Sequence, residues 1–441
     1  MSILSSQTVL DEHALCSPCV ACRLPLPILP KLAERGGQAW HCTRCDTIHH
    51  GILIEDVCAE VAANVRSVEP NSTLALRSCE IHVPRGEATK PLPVRDAVHC
   101  SLETLASREL DDAIARGVQL VVKSEGPPLL DSIKRHGASP YDASTEARFV
   151  EEYDESQLQV ELLVESLEQG RSIELEAPAS LTRDSLAQMS EDMDLFVRLG
   201  INPPERDYRG KHSLHVAMLA ASIGANMGWD EKVLVDLGVG CLLHDIGMIR
   251  IPDGLYKNDR ILDADEFGEI ARHPIHTFDL IAEHCPDVSL ASRMVAYQIH
   301  ERCNGSGYPR NRQGFMIHQA AKVAAVADVY VALVSPRLHR PALMPYYAVE
   351  HLIYGVKNGQ FDSSVVRALL KTISLFPIGS YLKLADQRVA RVIRANLEHY
   401  GRPVVEIWSP DKLDQAPEVV DLSENSQIVI QGPVPRLEQV E

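Results

Sequence analysis

The sequence predicts a multidomain, mainly α-helical protein, with a cysteine-paired N-terminal segment, a small α/β region and a small β-rich C-terminal subdomain around the helices. Three observations predict this. At 441 residues the chain exceeds what one ordinary core holds, and about 150 residues per domain implies several units. Between residues 210 and 334 apolar side chains recur at helical spacing, whereas after about 380 they fall into short runs between turn signals. Two Cys-x2-Cys pairs stand close together within the first fifty residues.

Composition narrows the function classes. With 45% hydrophobic and 24% charged residues, the chain has no apolar run near the ~20 residues of a membrane helix, so no membrane partner is expected. The opening MSILSSQTVLDEH lacks a basic region followed by a long apolar stretch, so no secretory signal is expected and a cytoplasmic location is. A net charge of -18 with pI near 5.5 opposes non-specific attraction to nucleic-acid phosphates. Nucleic acid is therefore not an expected partner, and any anionic ligand must be gripped locally. Eleven cysteines, several of them clustered, fit metal ligation in a reducing compartment better than a disulfide framework.

Residues 1–66 contain Cys19 and Cys22, then Cys42 and Cys45, with 19 residues between the pairs. Each pair can form a tight knuckle that brings two thiolates to one tetrahedral ion. The segment resembles a zinc ribbon and is expected to hold a structural zinc, because a short segment with little core needs such a staple. Cys16 lies near enough to stand in for one ligand. Residues 67–145 read as a small α/β domain of unknown role, with a strand at 75–83 and helical stretches near 103–115 and 128–136. Residues 146–190 read as a helical linker whose apolar positions Val150, Tyr153, Leu158, Leu162 and Leu163 are a candidate homodimer contact.

Residues 191–375 are expected to form the helical domain. Leu214, Ala217, Met218 and Ala221 share one helix face that stops near Gly228, and Asp230 is placed to cap the next helix, whose face is Leu234, Leu237, Gly238, Cys241 and Leu242. Residues 376–441 are expected to form a small β-rich subdomain from runs such as Tyr381–Leu384, Val404–Trp408 and Ile428–Ile430.

Chemistry enters where the second helix runs into His244 and Asp245. A carboxylate at the end of an apolar helix is costly without a partner, and a cation is the economical one. Further candidate ligands are His212, His273, His300 and Asp328, the last inside an Ala-rich apolar helix where a carboxylate must be neutralised. Imidazole and carboxylate together suit one or two divalent ions of Fe, Mn or Zn. His215, His276 and His284 are expected to be surface or satisfied core residues.

The order of these residues resembles the HD-GYP subfamily of HD-domain phosphohydrolases. His212-Ser213-Leu214-His215-Val216 looks like its H-S-x-R-V, His244-Asp245-Ile246-Gly247 like its HDxGK, and His300-Glu301 through Gly307-Tyr308-Pro309 like its HHExxDGxGYP. Ile251-Pro252-Asp253, Lys257 and Leu375-Phe376-Pro377-Ile378-Gly379 add supporting phrases. The resemblance implies a helical domain in which His212, His244, Asp245 and Asp328 hold one ion and Asp245 bridges to a second held by His273 and His300. It implies a phosphodiesterase that opens cyclic di-GMP to pGpG or GMP, with His244 and Asp245 at the catalytic centre, Tyr308 lining the pocket, and Arg337 and Arg340 gripping phosphate. A signalling protein engaging the GYP loop is a further partner, expected if the domain binds without turnover.

The chain departs from the pattern at two telling positions. Met248 replaces the lysine of HDxGK, and a thioether neither donates a proton nor pairs with phosphate. Ile299 replaces the first histidine of the HHE pair, so water or Glu301 would have to complete the second ion. Asn304, His215 and Val331 are smaller departures, and Tyr208 stands where members with a third metal carry glutamate. Two readings follow: a phosphodiesterase slowed by Met248 and Ile299, or a catalytically degenerate module that binds nucleotide or a protein partner.

Overall fold

A computed structural model describes residues 118–201, 209–256, 262–336, 342–408 and 417–434, together with helix 105–115 and the backbone of five short strands between residues 15 and 81. Strands β1 (Leu15–Pro18) and β2 (Pro25–Pro27) pair antiparallel, and β3 (Ala39–Cys42), β4 (Thr47–Leu53) and β5 (Arg77–Ile81) form a three-stranded antiparallel sheet in that order. The expected zinc ligands Cys19, Cys22 and Cys45 lie outside the described residues, and Cys42 is described only as backbone at the end of β3.

The helices then follow almost without interruption: α1 (Leu105–Ala115), α2 (Ala143–Glu168), α3 (Glu176–Glu191), α4 (Met193–Ile201), α5 (Arg209–Asn226) and α6 (Glu231–Leu243). After them come the short α7 (Asp253–Tyr256) and α8 (Ala264–Ile270), then α9 (His273–His284), α10 (Leu290–Gln298), α11 (Gln319–Val334), α12 (Pro345–Lys357) and α13 (Ser363–Ile373). No described helix is long and apolar enough to cross a membrane.

Helix α5 is the axis of the bundle, with α2, α4, α6, α11 and α13 packed around it. Its side chains are buried on every face from Ser213 to Ala225, which is why its apolar residues do not form a single stripe. The helix ends at Gly228, whose φ of 81° lies in the left-handed region where a side chain is disfavoured. Asp230 then caps α6 by accepting from the Val233 N–H at 3.0 Å. Its second oxygen accepts the Glu125 and Gly126 N–H groups at 2.8 and 2.7 Å, which ties the upstream segment to this helix.

The stretch 128–136 is a single 3₁₀ turn, Leu129–Ser132, rather than the expected helix. Its backbone donors find partners elsewhere: Leu129 N–H donates to the Trp229 carbonyl and Lys134 N–H to that of Ser190. Tertiary pairing has displaced the local helical bonds. In α2, Phe149, Tyr153, Val160, Leu163 and Leu167 are buried, while Val150, Leu158 and Leu162 remain exposed.

A five-stranded antiparallel sheet closes the described chain: β6 (Tyr381–Leu384), β7 (Val389–Arg394), β8 (Val404–Trp408), β9 (Glu418–Asp421) and β10 (Ile430–Val434), in the order β10-β6-β7-β8-β9. Alternate residues Leu382, Leu384, Ala390, Val392, Val405 and Ile407 turn inward and join the core of the helices. Arg394, 2% exposed, forks onto Asp192 with Nη1–Oδ1 and Nη2–Oδ2 distances of 3.0 and 3.1 Å. It thereby pins the sheet to the α3–α4 junction.

Candidate metal centre

Six elements each deliver part of the site. Helix α5 carries His212 in its first turns, α6 ends at His244, and Asp245 opens a 3₁₀ turn over Ile246–Arg250. Helix α9 begins at His273, with Pro274 in the first turn where its missing N–H costs nothing, and α10 leads through Ile299 to His300. Asp328 lies midway along α11.

Two glycines let these elements meet. A Cβ on Gly247 would lie 2.0 Å from the His273 carbonyl oxygen, so only glycine lets the turn after Asp245 rest on the start of α9. Thr277 locks this contact, because its hydroxyl accepts from Gly247 N–H at 3.0 Å and donates to the His244 carbonyl at 2.8 Å. A Cβ on Gly307 would lie 2.3 Å from Arg302 N, so the GYP loop folds tightly over the His300–Glu301 backbone. Gly305, with φ of 79°, supplies a left-handed turn in the same loop.

The predicted ligands converge. His212 Nε2 lies 3.0 Å from Asp328 Oδ1, and His300 Nδ1 lies 3.3 Å from Asp328 Oδ2. Asp245 gathers three imidazoles: its Oδ2 is 3.3 Å from His244 Nε2, and its Oδ1 is 3.2 Å from His273 Nε2 and 3.7 Å from His300 Nε2. His300 therefore stands between the two carboxylates. Tyr308 lies flat on the His300 ring, with centroids 4.9 Å apart and planes 19° apart.

Two imidazoles are aimed by carbonyls three residues back. His244 Nδ1 donates to the Cys241 carbonyl at 2.7 Å and His273 Nδ1 to that of Ile270 at 2.8 Å. A carbonyl only accepts, so the proton sits on Nδ1 and Nε2 faces the cluster. The Nε2 atoms of His244, His273 and His300 are buried and make no hydrogen bond despite lying within 3.7 Å of carboxylate oxygens. Such orphaned nitrogens are costly in a closed protein and are what a metal ligand looks like without its ion. Two groups, His212–His244–Asp328 and His244–Asp245–His300, each hold ligand atoms within 4.8 Å of one another. The donor set of nitrogen and carboxylate oxygen fits a divalent transition ion.

Burial dominates the electrostatics and the partners oppose it. Burial alone would raise the Asp245 and Asp328 carboxyls, yet the imidazoles outweigh it and hold both well below the usual carboxylate range. Burial would lower His244, but Asp245 and Asp328 outweigh it and lift the imidazole to about 9. His273 is left lowered by its burial, whereas His300 is raised by the two carboxylates against its own.

The structure thus brings together His212, His244, Asp245, His273, His300, Asp328 and Tyr308. Arg337 and Arg340, expected to grip phosphate, lie outside the described residues, as do Tyr208 and Lys257. The histidines set aside stay out of the cluster: His215 stacks on Tyr153 and bonds its hydroxyl, with burial pushing its pKa down to about 3. His276 is half-buried, and His284 lies beside Glu283.

Among the departures, Ile299 is wholly buried in the main core and Met248 is half-buried on the 3₁₀ turn. Glu301 does not replace the missing imidazole. Its Oε1 and Oε2 accept the Arg310 and Arg312 backbone N–H groups, each at 2.8 Å, so the carboxylate is committed to holding the GYP loop. Sequence reasoning also missed Thr277 and Asp111, and the latter bonds Arg310 and Arg312 from α1. Their spacing carries no signal, because each acts only through tertiary contact.

Comparison with known proteins agrees with this geometry. A family described as "HD domain" matches residues 180–365. A cyclic di-GMP phosphodiesterase of Pseudomonas aeruginosa is 30% identical over 227 residues, which is 50% of this chain and 53% of that protein. The cyclic di-GMP phosphodiesterase response regulator RpfG of Xanthomonas campestris pv. campestris is 34% identical over 157 residues, 36% of this chain and 40% of the relative. A 3'3'-cGAMP-specific phosphodiesterase of Vibrio cholerae is 27% identical over 164 residues, covering 36% and 37% respectively. The chain thus spans about half or less of the length of these relatives.

Proposed function

We propose, from the premise that this chain is an HD-GYP domain protein, that it is a metal-dependent phosphodiesterase hydrolysing cyclic di-GMP to pGpG or GMP. The observation that carries this reading is the convergence of four imidazoles and two carboxylates in an apolar interior, with three buried Nε2 atoms left without hydrogen bonds. His212, His244, Asp245 and Asp328 would hold one ion of Fe, Mn or Zn, and Asp245, His273 and His300 a second. Divalent ions held there supply Lewis acidity toward a phosphodiester and toward the water that attacks it.

The chain's own residues prepare that chemistry. Asp245 lies within 3.7 Å of three imidazoles at once, the Cys241 and Ile270 carbonyls fix two of the tautomers, and the Tyr308 ring walls the side of His300. Arg337 and Arg340 would supply forked donors to the phosphates in an otherwise acidic chain. Ile299 leaves the second ion one imidazole short and Met248 offers no proton to the leaving oxygen, so a slow turnover is proposed. A cytoplasmic location belongs to the same proposal.

Manganese- or iron-loaded protein incubated with cyclic di-GMP tests the reading by chromatography of the products. Formation of pGpG or GMP, abolished in Asp245→Ala, is expected. If the loaded protein leaves the dinucleotide intact over hours, the hydrolase reading is lost.

A further inference from the structure

The elements that carry the site are touched from outside by one upstream segment. Leu110 and Ile114 of α1 pack on Ile275 and Phe278 of α9, which begins at His273, and on Met294 and Tyr297 of α10, which leads to His300. Further along, Gln319 N–H at the start of α11 donates to the Leu120 carbonyl at 2.8 Å. Each contact lies on an element that ends in, or contains, a candidate ligand.

Among the described side chains of this segment, Asp111 is the acidic one that reaches the loop over His300. Its Oδ2 accepts from Arg310 Nε at 2.7 Å, its Oδ1 accepts from Arg312 Nη2, and the Tyr297 hydroxyl lies 3.3 Å from Oδ2. Both guanidinium groups are nine-tenths or more buried, and Arg310 Nη2 and Arg312 Nε have no acceptor. The backbone of these same two arginines is held by Glu301, next to His300 in the chain, and Tyr308 N–H donates to the His300 carbonyl at 3.1 Å. Without Asp111, two buried cations would lose their counter-ion and the loop would have to move to hydrate them.

We infer that Asp111 is a positioning residue of the metal centre, acting through Arg310, Arg312 and Glu301 on the loop that stacks Tyr308 against His300. The inference rests on the metal reading above. Removing a direct outer partner of a metal ligand weakens affinity by about ten- to a hundredfold, and Asp111, which acts through the loop, is expected at the lower end of that range for Asp111→Asn.

Cobalt(II) titration of the full chain with Cys19, Cys22, Cys42 and Cys45 replaced by serine, followed by its visible absorption, reads the centre without any substrate and without a thiolate site. Asp111→Asn should bind cobalt about tenfold or more weakly and shift the visible band, and Asp111→Glu should restore both. Leu110→Ala weakens the packing of the same helix but keeps the carboxylate, so its band should match the parent. The Asp111→Asn, Arg312→Gln double variant removes one uncompensated charge, which protects the fold, and its band should remain shifted. If the parent binds cobalt and Asp111→Asn gives the parental band and affinity, or if Leu110→Ala shifts the band equally, the inference is overturned while the metal reading stands. If the parent binds no cobalt, both fall together.

Discussion

At residue 247 a hydrogen in place of a methyl group decides whether the His244–Asp245 turn can rest on α9. The 2.0 Å separation between a Cβ there and the His273 carbonyl oxygen cannot be absorbed by rotating a side chain, because the obstacle is backbone. Gly247→Ala should therefore cost roughly 2–3 kcal/mol in urea unfolding, the upper end of overpacking penalties. It should also weaken metal binding, since His273 and Asp245 lie on opposite sides of the contact. At this scale the site was legible where chemistry sits in a short motif: His244 and Asp245 follow the end of an apolar helix, Asp328 lies inside one, and His300 opens the phrase that ends in Gly307-Tyr308-Pro309. Asp111 could not be read this way, because its partners lie 199 and 201 residues away. Glu301, offered with water as a stand-in for the imidazole missing at Ile299, is a related case: backbone donors nine and eleven residues on take both its oxygens, which no short motif reports.

Helices were legible wherever side-chain period and caps agreed. The expected stop at Gly228 and cap at Asp230 are both present, and the Ala-rich run around Asp328 is helix α11. The stretch 128–136 misled because its local pattern is overruled by the Trp229 and Ser190 carbonyls, which no periodicity reports. The cap of α11 makes a pH prediction. His318 Nδ1 accepts from Ala320 N–H, and burial lowers the imidazole from 6.5 to about 4. A depressed folded pKa means the unfolded chain takes the proton first. Stability from this group is intact above pH 6.5 and falls by about 1.4 kcal/mol per pH unit as the pH drops toward 4. His318→Asn keeps a capping acceptor and removes the titration. Urea unfolding between pH 7 and 4.5 should show a slope shallower by that amount, and an unchanged slope would refute the assignment.

At the scale of the whole molecule, the described helices and the C-terminal sheet share a core and are tied by Arg394, which pairs with Asp192 and Asp194. Arg394 to Asp192 is bidentate and its arginine is almost wholly enclosed, so removing one partner leaves a charge with nowhere to be hydrated. Arg394→Met should cost about 3–5 kcal/mol by chemical unfolding, and the Asp192→Asn, Arg394→Met double variant should recover much of it. Full stability in the single variant would show that the pair does not hold the sheet. The runs Tyr381–Leu384 and Val404–Trp408 were legible as strands between turn signals, whereas the run expected at Ile428–Ile430 lies mostly ahead of β10, which begins only at Ile430. The sheet's attachment was not legible, because Arg394 looks like an ordinary basic residue at the end of a strand.

Asp230 grips the start of α6 and the amides of residues 125 and 126 with the same carboxylate, and α6 ends at His244. A helix of 13 residues is a stiff rod of about 20 Å. One carboxylate thus anchors both the amides of residues 125 and 126 and the near end of that rod, whose far end is followed directly by His244.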